Sequence, residues 1–181
     1  EQERIMKLAI EDLIKIKESA LPGVNLRRGH LEGTAERFHL LICAGTACVS
    51  CGSMKVREAM EKEISARNLS GTVKIVITGC NGFCAEGPIM VVYPEGIFYR
   101  KLRPEDVSRI VEEHLTHGRP VADFFYKDLV RKEAIACMRD IPFFQRQELR
   151  VLRNRSVLDP ENIVEYIARD GYAGMAKALT E

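Results

Sequence analysis

The sequence predicts an α/β domain in which a small mixed four-stranded sheet carries two main helices. Between residues 37 and 115 the apolar patterns follow the order strand, helix, strand, strand, strand, helix. Two of the predicted strands each lead into a short segment that contains a pair of cysteines. Outside this region apolar residues recur at helical spacing. We therefore expect an N-terminal helix and a C-terminal helical segment around one α/β sandwich.

The chain begins with an amphipathic pattern over residues 3–19, which predicts a helix. Its apolar positions are Ile5, Met6, Ala9, Ile10, Leu13 and Ile16. We expect this helix to pack on a partner subunit or another domain, and a solvated leader is the alternative. The following residues contain Pro22 and three glycines, so we predict a linker without regular structure. Residues 1–36 form this first region.

The first half of the sandwich is predicted from two strands and one helix. Residues 37–43 form the first strand, and Val73–Thr78 form the second. A helix is predicted between them, from about Ser53 to Ala66, with Ser50 or Ser53 as its cap.

The second half is a hairpin followed by a helix. Ile89–Tyr93 and Ile97–Lys101 are predicted strands around the turn Pro94-Glu95-Gly96. Pro104 suits the first turn of the last helix. Pro88 begins the third strand, where we expect a trans peptide bond and keep the cis form as the alternative. The sandwich is assigned to residues 37–127.

Residues 128–181 form the C-terminal region. We predict a helix near 128–138, a break at Ile141-Pro142, and a helix that Asp159 caps and Pro160 begins. Gly171 separates that helix from a last one over Tyr172–Leu179.

Composition limits the possible functions of the 181 residues. Apolar residues make up 46% of the chain, charged residues make up 29%, and the net charge is +1. This balance gives no reason to expect nucleic-acid binding. No apolar run approaches the roughly 20 residues that span a bilayer, and no signal peptide is recognisable, so we expect a cytoplasmic protein.

The chain lacks an initiator Met and stops within a helical pattern, so we expect a fragment of a longer polypeptide.

Four of the six cysteines form two short clusters. Cys43 and Cys48 lie in CAGTAC after the first strand, and Cys80 and Cys84 lie in CNGFC after the second. Four thiolates from two neighbouring loops suit an iron–sulfur cluster or a zinc ion. Structural zinc sites usually show C-x2-C, so the C-x4-C and C-x3-C spacings favour iron and sulfide.

Two cysteines remain outside these clusters. Cys48 and Cys51 form a C-x-x-C motif, which is typical of thiol–disulfide oxidoreductases. That hypothesis leaves Cys43, Cys80 and Cys84 unexplained, so we favour the metal site. A structural zinc domain that docks subunits is the third alternative. Cys137 is interpreted as an ordinary thiol.

The sequence contains no Gly-rich phosphate loop and no Ser–His–acid arrangement. None of its four histidines has metal-ligand spacing to another ligand. We therefore expect neither a flavin nor a nicotinamide site within this chain.

Two segments resemble known families. Residues 38–126, with C-x4-C…C-x3-C and GPIMVVYPEGIFYRKLRPEDVSRIVEEHL, resemble the thioredoxin-like [2Fe–2S] ferredoxins. Residues 141–179 are similar to the opening of the flavoprotein subunit of NADH dehydrogenases, except that Arg155 stands where a cysteine often follows LRN. Joined in this order, they resemble the diaphorase subunits of multi-subunit [FeFe] hydrogenases and NAD-linked formate dehydrogenases.

The resemblance implies a thioredoxin-like fold and a one-electron carrier. It implies a [2Fe–2S] cluster with Cys43 and Cys48 on one iron and Cys80 and Cys84 on the other. FMN, NAD(P)H and a further iron–sulfur cluster would belong to polypeptide beyond residue 181. The implied partners are other subunits of a hydrogenase or formate dehydrogenase complex, so a hetero-oligomer is expected.

Overall fold

A four-stranded mixed sheet lies at the centre of the computed structural model, which describes residues 9–180. The strands are β1 (Phe38–Cys43), β2 (Val73–Thr78), β3 (Met90–Tyr93) and β4 (Ile97–Tyr99). Their order is β2-β1-β3-β4. β1 is parallel to β2 and antiparallel to β3, and β3 is antiparallel to β4. The predicted fold class is confirmed.

Helices cover the first face of this sheet. After α1 (Ile10–Leu26), the chain forms α2 (Thr46–Ser50), α3 (Ser53–Ala66) and α4 (Val107–Ile110). A 3-10 turn (Pro104–Asp106) precedes α4 and a π turn (Val111–Thr116) follows it, so residues 104–116 form one helical run. Together α3 and this run are the two predicted main helices. Their apolar side chains pack on Phe38, Leu40 and Ile42 of β1.

The second face of the sheet is covered by the C-terminal region. Leu41 and Cys43 of β1 pack in a second apolar cluster with Ile135 and Ile141. All six residues of β1 are therefore buried, as expected for a central strand that is covered on both sides.

A β-hairpin replaces the helix that we predicted near residues 128–138. It consists of β5 (Tyr126–Asp128) and β6 (Glu133–Ile135). The Asp128 carboxylate accepts hydrogen bonds from the backbone N–H groups of Val130 and Arg131, which closes the turn. The prediction was wrong because this side chain supplies a local alternative to helical hydrogen bonds.

The remaining helices are α5 (Pro142–Gln145), α6 (Ile163–Ala168) and α7 (Ala173–Thr180). The predicted start of α6 at Asp159-Pro160 was wrong. Asn162 caps this helix, because its Oδ1 accepts from the N–H groups of Val164 and Glu165. The predicted last helix is confirmed within a residue or two.

Helix α1 extends beyond its predicted end, so residues 20–26 are not the unstructured linker that we expected. Pro22 lies inside the helix, and tertiary packing stabilises this segment because Val24 and Leu26 are buried. The helix packs along α6 of its own chain. Residues 3–8 of the predicted helix lie outside the described residues.

The structure also differs from two local predictions at turns. Helix α3 begins after Gly52, whose φ of 95° is left-handed, and neither Ser50 nor Ser53 caps it with a side-chain hydrogen bond. The Gly87–Pro88 peptide bond is cis, which was the alternative to the trans form that we favoured.

A buried ion pair joins α1 to α6. Arg27, which is 2% exposed, donates from Nη1 and Nη2 to the Glu165 carboxylate at 2.6 and 2.7 Å. Its Nε donates to His39 Nδ1 of β1 at 2.9 Å. Because Nδ1 accepts, the proton of a neutral His39 lies on Nε2, which donates to Glu36. One guanidinium therefore connects both terminal segments to the central sheet.

Within residues 9–180, no helix has both the length and the apolar character to cross a membrane.

The Arg27–Glu165 pair gives a stability prediction. Arg27→Met should lower the free energy of unfolding by about 3–5 kcal/mol, because Glu165 would remain charged and buried without its partner. Urea unfolding measures this change. Lys17→Met is the matched control, since it breaks the exposed Lys17–Asp170 pair and should cost about 1 kcal/mol or less. Equal losses in both variants would contradict a special role for the buried pair.

His114 gives a pH prediction. It is buried beside Tyr99, and burial lowers the pKa of His114 to about 4 from an ordinary value of 6.5. As the pH falls, the unfolded chain binds this proton before the folded chain does. The stability that depends on a neutral His114 is therefore complete above about pH 6.5 and decreases from there toward pH 4.

Urea unfolding between pH 7.5 and 4.5 should show a steeper loss of stability for the wild type than for His114→Gln. The slopes should differ by at most about 1.4 kcal/mol per pH unit. Parallel slopes would show that His114 does not contribute.

Candidate metal centre

The parallel pairing of β1 and β2 brings the two cysteine loops to one edge of the sheet. Cys43 is the last residue of β1 and lies opposite Thr78, the last residue of β2. Cys48 follows in α2, and Cys80 begins the loop after β2. Cys84 begins a 3-10 turn that leads to β3. All four sequence-predicted site residues therefore lie at this edge of the sheet or in the segments that follow it.

The four thiols form two interacting pairs of different burial. Cys43 and Cys48 are buried, whereas Cys80 and Cys84 are exposed. Burial and the hydrogen bond with the Cys43 thiol raise the pKa of Cys48 to about 12. The hydrogen bond with the Cys80 thiol raises the pKa of Cys84. Each pair also interacts electrostatically with a thiol of the other, so the four groups form one cluster.

Two glycines allow this close approach. A Cβ at Gly45 would lie 2.9 Å from the Cys80 Cβ, and a Cβ at Gly87 would lie 2.9 Å from the Cys48 Sγ. Both distances are too short for real contacts, so any larger residue would displace a thiol.

Three buried hydrogen-bond donors near these loops lack a partner. They are Ser53 Oγ, Asn81 Nδ2 and Arg155 Nε, and they are the only such side-chain atoms within residues 9–180. Ser53 begins the helix after the first loop, and Asn81 lies between Cys80 and Cys84. Buried donors are normally satisfied, so their accumulation here indicates an acceptor at this place. Four thiols and three free donors fit a sulfur-rich anionic group.

The C-terminal region packs on the second cysteine loop, a contact that the sequence reasoning missed. Phe83 stacks on Phe143 with ring centroids 4.5 Å apart. The Ser156 hydroxyl donates to Asn81 Oδ1, and Arg155 Nη1 lies 3.6 Å from the position of a Cβ at Gly82. The only sequence feature that could have indicated this contact is the apolar and aromatic run IPFF, because such a run is normally buried against another surface.

A single-ion site is not formed by the described part of the chain. Within residues 9–180, no group of three or more His, Cys, Asp or Glu side chains has an arrangement that could hold one metal ion.

The other candidate residues have structural surroundings. Cys51 is exposed at the end of α2, and Cys137 is partly buried near the Glu95 carbonyl. His39 and His114 are buried and bonded to Arg27 and Tyr99.

The chain is similar to proteins of one known family. The profile of the thioredoxin-like [2Fe-2S] ferredoxin family matches residues 32–115. A 2Fe-2S ferredoxin from Clostridium pasteurianum is 37% identical over 93 residues, which are 47% of this chain and 91% of that protein. The structure of a thioredoxin-like [2Fe-2S] ferredoxin from Aquifex aeolicus matches 50% of this chain and 90% of that chain, with 37% identity and a TM-score of 0.47.

A longer relative extends over the C-terminal region. The alpha subunit of the NAD-reducing hydrogenase HoxS from Cupriavidus necator is 24% identical over 164 residues. The match covers 82% of this chain and 27% of that subunit.

The close approach at Gly87 gives a prediction. Gly87→Ala should lower the free energy of unfolding by about 1–3 kcal/mol, because the new methyl group overlaps the Cys48 Sγ and approaches the Cys84 carbonyl. Thermal unfolding measures this effect. Gly79→Ala is the matched control, since no atom lies within 4 Å of its Cβ position. If both variants have the same melting temperature as the wild type, the packing around Gly87 is looser than we infer.

Proposed function

The chain belongs to the thioredoxin-like [2Fe–2S] ferredoxin family, and from this premise we propose that Cys43, Cys48, Cys80 and Cys84 hold its [2Fe–2S] cluster. The observation that carries this proposal is the set of unpartnered buried donors beside four clustered thiols. When bound, such a cluster accepts and releases one electron.

The residues of the chain have distinct roles in this proposal. Cys43 and Cys48 anchor one iron to the apolar core, and Cys80 and Cys84 bind the other near the surface. The free donors of Ser53 and Asn81 supply hydrogen bonds to sulfur, which compensate negative charge. Cys80 and Cys84 are the exposed pair, so their side of the site would be the one open to an electron donor or acceptor when the cluster is bound.

Thiol–disulfide exchange through Cys48 and Cys51 is disfavoured by the surroundings of Cys48. A reactive cysteine needs a lowered pKa and an accessible sulfur. Cys48 is 2% exposed, and burial together with Cys43 raises its pKa to about 12. A thiolate would therefore form poorly at Cys48 without a metal.

We further propose that the chain is the electron-transfer part of an NAD(P)H-linked subunit in a hydrogenase or formate dehydrogenase complex. The likeness to the HoxS alpha subunit, which includes the C-terminal region, supports this assignment. FMN, NAD(P)H and a further iron–sulfur cluster would be bound outside this chain. Val151 is 95% exposed and Leu152 is 60% exposed, as expected of a surface that contacts other subunits.

Metal analysis of anaerobically purified protein tests the cluster. We expect about two irons and two acid-labile sulfides per chain, with a rhombic EPR signal after dithionite reduction. About one zinc per chain and no EPR signal would replace this proposal with a docking domain. Protein without metal that reduces insulin disulfides would instead support the thiol hypothesis.

The ligand assignment predicts different results for different cysteines. Cys80→Ala and Cys84→Ala should each lose most of the iron and lower the melting temperature, because metal binding is coupled to folding. Cys51→Ser should retain iron, sulfide and the EPR signal. Iron loss in Cys51→Ser, with iron retained in Cys84→Ala, would overturn the assignment.

A further inference from the structure

Arg155 is a shielded cation without a counter-charge. Its guanidinium is partly buried, and its Nε is buried with no hydrogen-bond partner. Its Nη2 donates to the neutral Gln147 amide at 2.9 Å, and its guanidinium carbon lies 5.9 Å from the centre of the Phe144 ring. No carboxylate within residues 9–180 pairs with it.

Three other shielded arginines in the chain have a carboxylate partner, whereas the partly buried Arg169 donates to the neutral Asn154 amide. Arg27 pairs with Glu165, Arg67 with Glu112, and Arg100 with Glu86. Removing a cation from water is costly unless an anion or strong acceptors replace the water. A partly buried guanidinium that contacts only a neutral amide and an aromatic ring therefore indicates an anion that binds beside it.

The cysteine site lies beside this guanidinium. Arg155 Nη1 lies 3.6 Å from the Cβ position at Gly82, whose N–H donates to the Cys80 Sγ at 3.3 Å. Arg155 and Cys80 also line the same cavity of about 680 Å³. Next to Arg155 in sequence, Ser156 donates to Asn81 of the same loop.

We propose that Arg155 is a charge-compensating residue that raises the reduction potential of the cluster at Cys80 and Cys84. This inference rests on the proposed function, since it requires the cluster to be present. A cluster with four thiolates is doubly negative when oxidised and triply negative after it gains one electron. A fixed positive charge nearby stabilises the reduced form more than the oxidised form, so it favours reduction.

The C-terminal region would then have a direct part in electron transfer. It places Arg155 on the exposed side of the site, where the electron arrives. Arginine suits this task because its guanidinium keeps its charge at every pH at which the protein is folded.

Spectroelectrochemical titration of the cluster-loaded chain tests the proposal. Arg155→Gln should titrate at a more negative potential than the wild type while it retains the same iron and sulfide content. Arg155→Lys should restore part of this shift. Arg153→Gln is the matched control, because it removes the same charge from an exposed side chain two residues away and should leave the potential unchanged.

An unchanged potential in Arg155→Gln would overturn the proposal, and so would equal shifts in Arg155→Gln and Arg153→Gln. If Arg155→Gln does not hold the cluster, Gln147→Glu decides the question. It pairs Arg155 with a carboxylate while the packing on Phe144 remains, so the potential should again become more negative.

The exposed Gln145→Glu is the control for that added charge, and it should have little effect. No shift in Gln147→Glu, or an equal shift in Gln145→Glu, would overturn the proposal. A wild-type chain that binds no iron would refute the proposed function itself, which separates that failure from a failure of the Arg155 assignment.

Discussion

The parallel, in-register pairing of β1 with β2 is the constraint on which the site depends. Parallel strands end at the same edge of a sheet, and here Cys43 faces Thr78 as the last pair. Because side chains alternate along a strand, a slip of one residue would turn every apolar side chain of β1 to the opposite face. Such a slip would also move the buried His39 away from Arg27, so the register that makes this contact also fixes the two cysteine loops.

This constraint explains why the C-terminal region belongs to the architecture of the site. A central strand such as β1 needs a cover on each face, and α3 with residues 104–116 covers only one of them. The segment from β5 to α5 supplies the other through Ile135 and Ile141. The same segment continues onto the second cysteine loop, where Phe143 stacks on Phe83. Packing of the core thus also determines the surroundings of the exposed thiols.

The parts of the fold that follow from local sequence were predictable. β1, β2, α3 and the hairpin of β3 and β4 carry periodic apolar patterns and turn residues of their own. The parts decided by tertiary contacts were not. Pro22 marks a break by local rules, yet α1 continues through it because Val24 and Leu26 are buried. The hairpin at Asp128 depends on a side-chain bond that a helical pattern hides.

The same division applies to the candidate site. The cysteine spacing is visible in the sequence, so the four thiols could be singled out, and their role as ligands stays a prediction. Asn81 and Arg155 could not be identified in this way, because an unsatisfied donor is defined by what surrounds it in three dimensions. In the sequence, the one notable feature of Arg155 is that it occupies the position where a cysteine often follows LRN. Its isolation from carboxylates became visible only in the folded chain.

Burial of Cys43 and Cys48 bears on how such a site would fill. In an apolar core the protonated thiol is strongly favoured, and the pKa of Cys48, raised to about 12, expresses that preference. Binding of a cluster through Cys48 would therefore displace the proton of this thiol, and the positive charge of iron would offset the cost of its buried thiolate. Cys80 and Cys84 are exposed, so water reaches this pair. The buried pair would thus contribute most of the coupling between folding and metal binding. The exposed pair would face the electron donor and the electron acceptor.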